Sequence, residues 1–99
     1  MTPAEPPPLQ LHTPPGQPLI IELSANAGAG LGWQPPPAPA GCRLRPVGKA
    51  VAGAGVGGAV TEAFEFVGDG PGEHQLRFEL RRPWERVSRG GQWVVVVVG

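Results

Sequence analysis

The chain has 99 residues, which suits a single domain, and 16 of them are glycine and 14 proline. Because Gly and Pro weaken a helix interior by about 1 and about 3 kcal/mol relative to Ala, this composition excludes an all-α fold. Eight Lys and Arg residues balance eight Asp and Glu residues. A neutral chain lacks the basic surface typical of nucleic-acid binding and of polybasic membrane patches, so we expect neither nucleic acid nor membrane as a partner.

The first eight residues form a proline-rich segment that has no means of burying itself. Prolines stand at positions 3, 6, 7 and 8. A ligand for a proline-binding module is one interpretation; a frayed terminus is the other and is the one we prefer. The sequence thus predicts a disordered tail over residues 1–8 and one domain over residues 9–99.

Short apolar runs separated by turn residues recur along the rest of the chain. The clearest spans residues 73–81, where Leu76, Phe78 and Leu80 alternate with charged or amide side chains, as a strand with one buried face requires. Similar runs lie at residues 9–12, 18–23, 43–47, 60–67 and 92–98. Pro46 is typical of an edge strand. Six or seven short strands at this spacing predict an all-β fold, either a β-sandwich or a small barrel.

Shared phase along these runs predicts the core. The predicted core residues are Leu19, Ile21, Leu23, Trp33, Phe64, Phe66, Leu76, Phe78, Leu80, Trp93, Val95 and Val97. Glu62 falls in phase with the phenylalanines, and a bulge before Ala63 would move it off the apolar face. The same phase leaves Val94, Val96 and Val98 outward. Since bare valines make an association-prone surface, we expect a monomer or a weak homodimer through the C-terminal strand.

No arrangement in the sequence suits catalysis. The single cysteine, Cys42, has no neighbour in sequence that would lower its thiol pKa, so an inert thiol is favoured over a nucleophile, although His12 and His74 could pair with it. No Cys/His cluster has zinc-ligand spacing, and neither glycine-rich stretch follows the phosphate-loop pattern. We therefore expect no enzyme activity, no metal site and no cofactor.

The N-terminus has neither the basic start nor the apolar core of a secretory signal. This predicts a cytoplasmic location, or a periplasmic or secreted one if a preceding segment is missing. Rich use of Gly, Pro, Ala and Arg suggests a GC-rich bacterial genome.

Trp84 lies between the last two strands, and nothing beside it in sequence is apolar. An exposed indole between Arg82 and Arg86 suits a binding anchor, because Trp and Arg are enriched in interface hot spots. The equal alternative is that Trp84 folds back onto the sandwich and completes its core.

Three segments occur in an order that resembles the chagasin family of cysteine-protease inhibitors. Residues 26–33, NAGAGLGW, correspond to the family's Asn-Pro-Thr-Thr-Gly-aromatic loop and the Trp that follows it. Residues 55–58 correspond to its Gly-x-Gly-Gly loop, and residues 82–84 to its Arg-Pro-Trp loop. The resemblance covers roughly residues 9–98 and implies an immunoglobulin-like β-sandwich of about seven short strands.

The family's three loops lie at one end of the sandwich and block the active-site cleft of papain-like cysteine proteases. The resemblance therefore implies a papain-like cysteine protease as partner. The first loop would lie over the catalytic cysteine and histidine, with the second and third flanking it. The implied protease-binding residues are Asn26, Ala27, Gly28, Ala29, Gly30, Leu31, Gly55, Val56, Gly57, Gly58, Arg82, Pro83 and Trp84.

The first loop departs from the family's pattern. Ala27, Gly28 and Ala29 replace a proline and two threonines, and Leu31 stands where an aromatic residue is usual. Losing the proline raises the ordering cost of docking, which weakens binding. A reversible inhibitor is the leading interpretation. The alternative is a chagasin-like β-sandwich protein-binding module that has lost inhibitory activity.

Overall fold

A computed structural model describes residues 6–26, 31–51 and 59–99. Over these ranges the chain is all-β, which confirms the prediction of about seven short strands without a helix. The strands are β1 (Leu9–Thr13), β2 (Leu19–Asn26), β3 (Gly32–Gln34), β4 (Cys42–Val51), β5 (Ala59–Gly68), β6 (Gly72–Arg81) and β7 (Gly91–Val98). In this part of the chain no helix is long and apolar enough to cross a membrane.

The strands form two sheets, so the fold is a sandwich. One sheet has the order β1-β7-β6-β3 and the other β2-β5-β4. The first and last strands pair in parallel, and the other neighbours are antiparallel. The proline-rich residues 35–39 carry the chain from one sheet to the other, since Pro cannot donate to a ladder. β4 lies at a sheet edge, as Pro46 predicted, and its register with β5 shifts between Pro46 and Gly48.

The core lies between the sheets. Its apolar side chains are at most 5% exposed: Ile21, Leu23, Val60, Phe64, Phe66, Val67, Leu76, Phe78, Val94, Val96 and Val98. The rings of Phe64 and Phe78 join the two sheets, with centroids 5.0 Å apart. Leu19 and Trp33 pack against this cluster while partly exposed, and Leu80 is half-buried. The predicted phase is therefore confirmed on β2, β5 and β6.

On β7 the predicted phase is wrong. Val94 and Val96 are fully buried and Val98 nearly so, whereas Trp93 and Val97 are 37% and 40% exposed. Val94 pairs directly with Leu76, and facing residues of paired strands share a side of the sheet. The three buried valines are thus covered by the opposite sheet.

Trp93 directly precedes Val94 in the strand, so its side chain lies on the outer face of the sheet. It faces Arg77 across the strand pair, and the guanidinium carbon lies 5.5 Å from the ring centroid. Val95 on the same side is half-buried. The expected association through outward Val94, Val96 and Val98 loses its basis because these side chains are buried, and a monomer or weak homodimer through the C-terminal strand stays a prediction.

Glu62 keeps its inward phase. β2 and β5 pair without a register shift, and Leu23 faces Glu62. The bulge lies on the partner strand β4 instead. The carboxylate of Glu62 is half-buried and bonded, which makes its inward position tenable.

Residues 6–8 of the proline-rich segment are exposed and outside any strand. The carbonyl of Pro7 accepts a hydrogen bond of 3.0 Å from the side-chain amide of Gln92. Residues 1–5 lie outside the described ranges, and the disordered tail stays a prediction.

Candidate functional site

Three strand junctions lie together at one end of the sandwich. In the three-stranded sheet Asn26 pairs with Ala59, and Val51 pairs with Val60. The ends of β2 and β4 therefore flank the start of β5. In the other sheet Gly32, at the start of β3, pairs with Arg81 at the end of β6. These strand ends border residues 27–31, 52–58 and 82–90.

Trp33 ties the two sheets together at this end. Its backbone N–H donates to the Glu62 carboxylate at 2.7 Å, and its indole N–H donates to the Ser24 carbonyl at 3.0 Å. β3 belongs to one sheet, and the two acceptors belong to β5 and β2 of the other. A hydrogen bond to an ionised acceptor is among the stronger ones in proteins. The strand ends on both sides of the first loop are thus held by the contacts of Trp33.

Two of the predicted strand ends are corrected by the structure. The apolar runs predicted strands that end at residues 23 and 47, but β2 continues to Asn26 and β4 continues to Val51. Low β-propensity concealed these strand ends, because Asn, Gly, Lys and Ala are depleted in strands. Pairing with β5 supplies the backbone partners that composition does not reveal.

The third loop, residues 82–90, closes on itself through its backbone. The N–H of Glu85 donates to the carbonyl of Arg82 at 3.0 Å, which makes Pro83 and Trp84 the central residues of a turn. Pro is favoured at the first central position, since its φ is already fixed near the required value. Hydrogen bonds between Leu80 and the backbones of Arg89 and Gly90, of 2.6 and 2.9 Å, close the base of the loop.

An ion cluster around Glu85 braces the third loop. The Arg82 guanidinium donates to the carboxylate at 2.8 Å, and the Arg89 guanidinium donates at 2.9 and 3.1 Å. Arg81 donates to the Glu85 carbonyl at 3.0 Å. Hydrogen bonds from Arg82 and then from Arg89 lower the pKa of Glu85, so the carboxylate stays ionised in moderately acidic solution. We call Arg82, Glu85 and Arg89 the Glu85 cluster.

Two apolar side chains project from this braced loop. Trp84 is 75% exposed and Val87 is 70% exposed. Trp84 is therefore not a core side chain, and its role as a binding anchor stays a prediction. Sequence reasoning missed Val87, although a lone apolar residue among charged neighbours was the available signal. Exposed apolar groups on a fixed frame suit burial against another protein.

Of the predicted site residues, some lie within the described ranges and the others lie outside them. Asn26 ends β2, and Leu31 precedes β3 and is half-buried. Arg82, Pro83 and Trp84 lie together in the third loop. The remaining ones fall outside the described residues: Ala27, Gly28, Ala29, Gly30, Gly55, Val56, Gly57 and Gly58.

Cys42 lies at the opposite end of the sandwich. It pairs with Gly68, and its Sγ lies 3.5 Å from Nε2 of His74. Burial raises the pKa of the thiol, and the nearby charge of Asp69 adds to the effect. The thiolate is disfavoured, in agreement with an inert cysteine. Within the described ranges no three His, Cys, Asp or Glu side chains cluster as metal ligands would.

Comparisons with known proteins address the family and the fold. No curated protein sequence matches the chain. The fold is similar to the crystal structure of the cysteine protease inhibitor EhICP2 from Entamoeba histolytica, with a TM-score of 0.65 and 16% identity over 91% of this chain and 85% of that one. It is also similar to PbICP-C, solved in complex with falcipain-2, with a TM-score of 0.59 and 18% identity over 91% and 84%.

At these identities the two structures show the shared fold alone. The family model described as Chagasin family peptidase inhibitor I42 matches residues 12–97. This match covers nearly the whole domain and contains all three motifs and the braced third loop. The chain therefore belongs to the chagasin family of peptidase inhibitors.

Proposed function

We propose that this chain inhibits papain-like cysteine proteases reversibly, by placing three loops across the active-site cleft. Family membership makes the chain an inhibitor rather than an enzyme. The observation that carries the mode of binding is the exposure of Trp84 on a loop fixed by the Glu85 cluster. PbICP-C, whose fold is similar, was solved in complex with a protease, falcipain-2.

The first loop is the part proposed to cover the catalytic cysteine and histidine. The residues assigned to it are Asn26, Ala27, Gly28, Ala29, Gly30 and Leu31. The ties of Trp33 to Glu62 and Ser24 fix the strand ends on either side of it. Fixed ends reduce the ordering cost of docking, and so offset part of the loss caused by the absent proline.

The second and third loops are proposed to flank the first. Residues 55–58 would contact one wall of the cleft and residues 82–84 the other. A standard interface removes about 800 Å² per partner, which is within reach of three such loops. The central contact is Trp84, since a rigid aromatic side chain buries a large area at low entropic cost.

Inhibition kinetics against papain test the proposal. We expect the chain to inhibit papain in competition with a peptide substrate and to release active enzyme on dilution. Mass spectrometry should show that papain has not cleaved the chain. The matched variant carries Ala27→Pro and Ala29→Thr, which restore the family's proline and one hydroxyl. It should bind more tightly, because proline removes freedom from the unbound loop.

The two proteins together separate the possible outcomes. Inhibition by the restored variant alone would favour a binding module that has lost its inhibitory loop. Inhibition by neither, across a panel of papain-like enzymes, would overturn the proposal. A cytoplasmic location, a bacterial source, the immunoglobulin-like assignment and a monomer or weak homodimer stay predictions.

A further inference from the structure

The chain is neutral as a whole, but its charge is unevenly distributed. Four of the eight cationic residues, Arg81, Arg82, Arg86 and Arg89, lie within nine positions that contain a single acid, Glu85. This segment therefore carries an excess of three positive charges, and the rest of the chain an equal negative excess. The third loop is the basic end of a neutral molecule.

Part of the acidic excess lies at the end of the fold opposite the third loop. Between residues 50 and 76 the chain has no Lys or Arg and four acids: Glu62, Glu65, Asp69 and Glu73. Asp69 and Glu73 flank the turn between β5 and β6, at the end opposite the third loop. The molecule extends to 42 Å, whereas charges are screened over about 10 Å at 0.1 M salt. An approaching protein therefore interacts with the local charge of the end it approaches and not with the net charge of the whole molecule.

Internal pairing leaves the basic end positive. Glu85 is the acceptor for both Arg82 and Arg89, so its one charge is shared by two guanidinium groups. The side chain of Arg89 is 50% exposed, and Arg86 is exposed. Arg86 directly precedes Val87 in the chain and Arg89 follows two residues after it, so the third loop offers exposed cations and exposed apolar side chains together.

We propose that the third loop selects papain-like proteases whose cleft rim carries carboxylates beside the position of Trp84, and that these charges steer the approach of the inhibitor. The proposal rests on the proposed function and specifies its partner. Carboxylates facing Arg86 and Arg89 would accelerate encounter, because opposite charges at the rim act chiefly on the association rate. A protease with a basic rim would meet repulsion at the same position.

The test measures association rates by stopped flow for a papain-like protease with an acidic rim. We expect the rate to fall about 10-fold between 20 and 500 mM NaCl, the range typical of steered association. Arg86→Glu should slow association about 10-fold at 20 mM NaCl and much less at 500 mM. The matched control is Arg43→Glu, the same charge reversal at an exposed position of β4, and it should change the rate little.

A second arm uses the same protease with its rim carboxylates replaced by amides. This change should remove most of the difference between the parent chain and Arg86→Glu. A parent that inhibits well, with association indifferent to salt and to Arg86→Glu, would overturn this inference and leave the proposed function standing. A parent that inhibits no papain-like protease would overturn both.

Discussion

Phe78 and Trp84 are aromatic residues six positions apart in the chain, yet the fold treats them oppositely. Phe78, in β6, is fully buried and its ring contacts Phe64 of the other sheet. Trp84, in the third loop, is 75% exposed. Strand alternation directs the first inward, and a turn closed by Glu85 directs the second outward.

We therefore expect stability and recognition to depend on different residues in this small domain. The core uses apolar side chains on a regular two-residue period, whereas the third loop uses backbone and ion contacts to keep an apolar group in water. Substitutions in the two regions should therefore separate: one set should change the free energy of unfolding, and the other the inhibition constant.

The largest effect is expected for Phe78→Ala. Removing a fully buried aromatic side chain should lower the free energy of unfolding by about 3–5 kcal/mol. Urea titration followed by tryptophan fluorescence measures it. Phe78→Leu, which leaves a smaller cavity, keeps the comparison open if the alanine variant does not fold. A loss below about 1 kcal/mol would show that the ring does not support the core.

Trp84→Ala should weaken protease binding and leave the free energy of unfolding unchanged. We expect protease binding to weaken by about 2 kcal/mol, or roughly 30-fold in the inhibition constant, with the urea midpoint unchanged. Trp84→Phe should keep much of the affinity. Ile20→Ala, at a 48% exposed position of β2, is the control for loss of an exposed apolar group. A large drop in stability for Trp84→Ala would place the indole in the core after all.

Adjacent valines on β7 sharpen the same contrast within one strand. Val96 is fully buried and Val97 is 40% exposed. Replacement by threonine keeps the shape and adds a hydroxyl, so Val96→Thr should cost about 1–3 kcal/mol of stability. Val97→Thr should stay within about 0.5 kcal/mol of the parent. Equal losses in urea titration would contradict the observed phase of β7.

The smallest effect is expected at the Glu85 cluster. Glu85→Gln keeps the shape but removes the charge that Arg82 and Arg89 bind, so inhibition should weaken a few-fold. Because the pKa of Glu85 is lowered in the fold, its stabilisation is present above the ordinary glutamate value, about 4.3. This stabilisation is lost as the pH falls through the lowered value.

Urea midpoints of parent and Glu85→Gln, compared at pH 7 and at pH 3, measure this dependence. Their difference should shrink at the lower pH. A difference that grows on acidification would reverse the assigned direction of the pKa shift.

Much of the fold could be predicted because alternation is visible in sequence. Phe64, Phe66, Leu76 and Phe78 alternate with polar residues, so their phase is unambiguous. The last strand has valine on both faces, and hydrophobicity cannot choose between them. The pairing of Val94 with Leu76 decides the phase, and that is a contact between strands.

For the candidate site, the sequence predicted the position of the third loop but not the exposure of its tryptophan. The motif of residues 82–84 located the third loop, but the exposure of Trp84 could not be read from its neighbours. It depends on Glu85 binding Arg89 four residues later and on Arg89 binding Leu80 across the loop base. Glu62 illustrates the same limit, since its inward phase looked unfavourable until Trp33 supplied the backbone donor.

The parallel pairing of β1 with β7 has a consequence for the order of folding. Leu9 pairs with Val94 and Thr13 with Val98, so the two strands come from opposite ends of the domain. During synthesis on the ribosome β1 emerges first, but its partner emerges last. Closing so long a loop is entropically costly and slows folding. The strand that is made first is therefore among the last to enter its sheet.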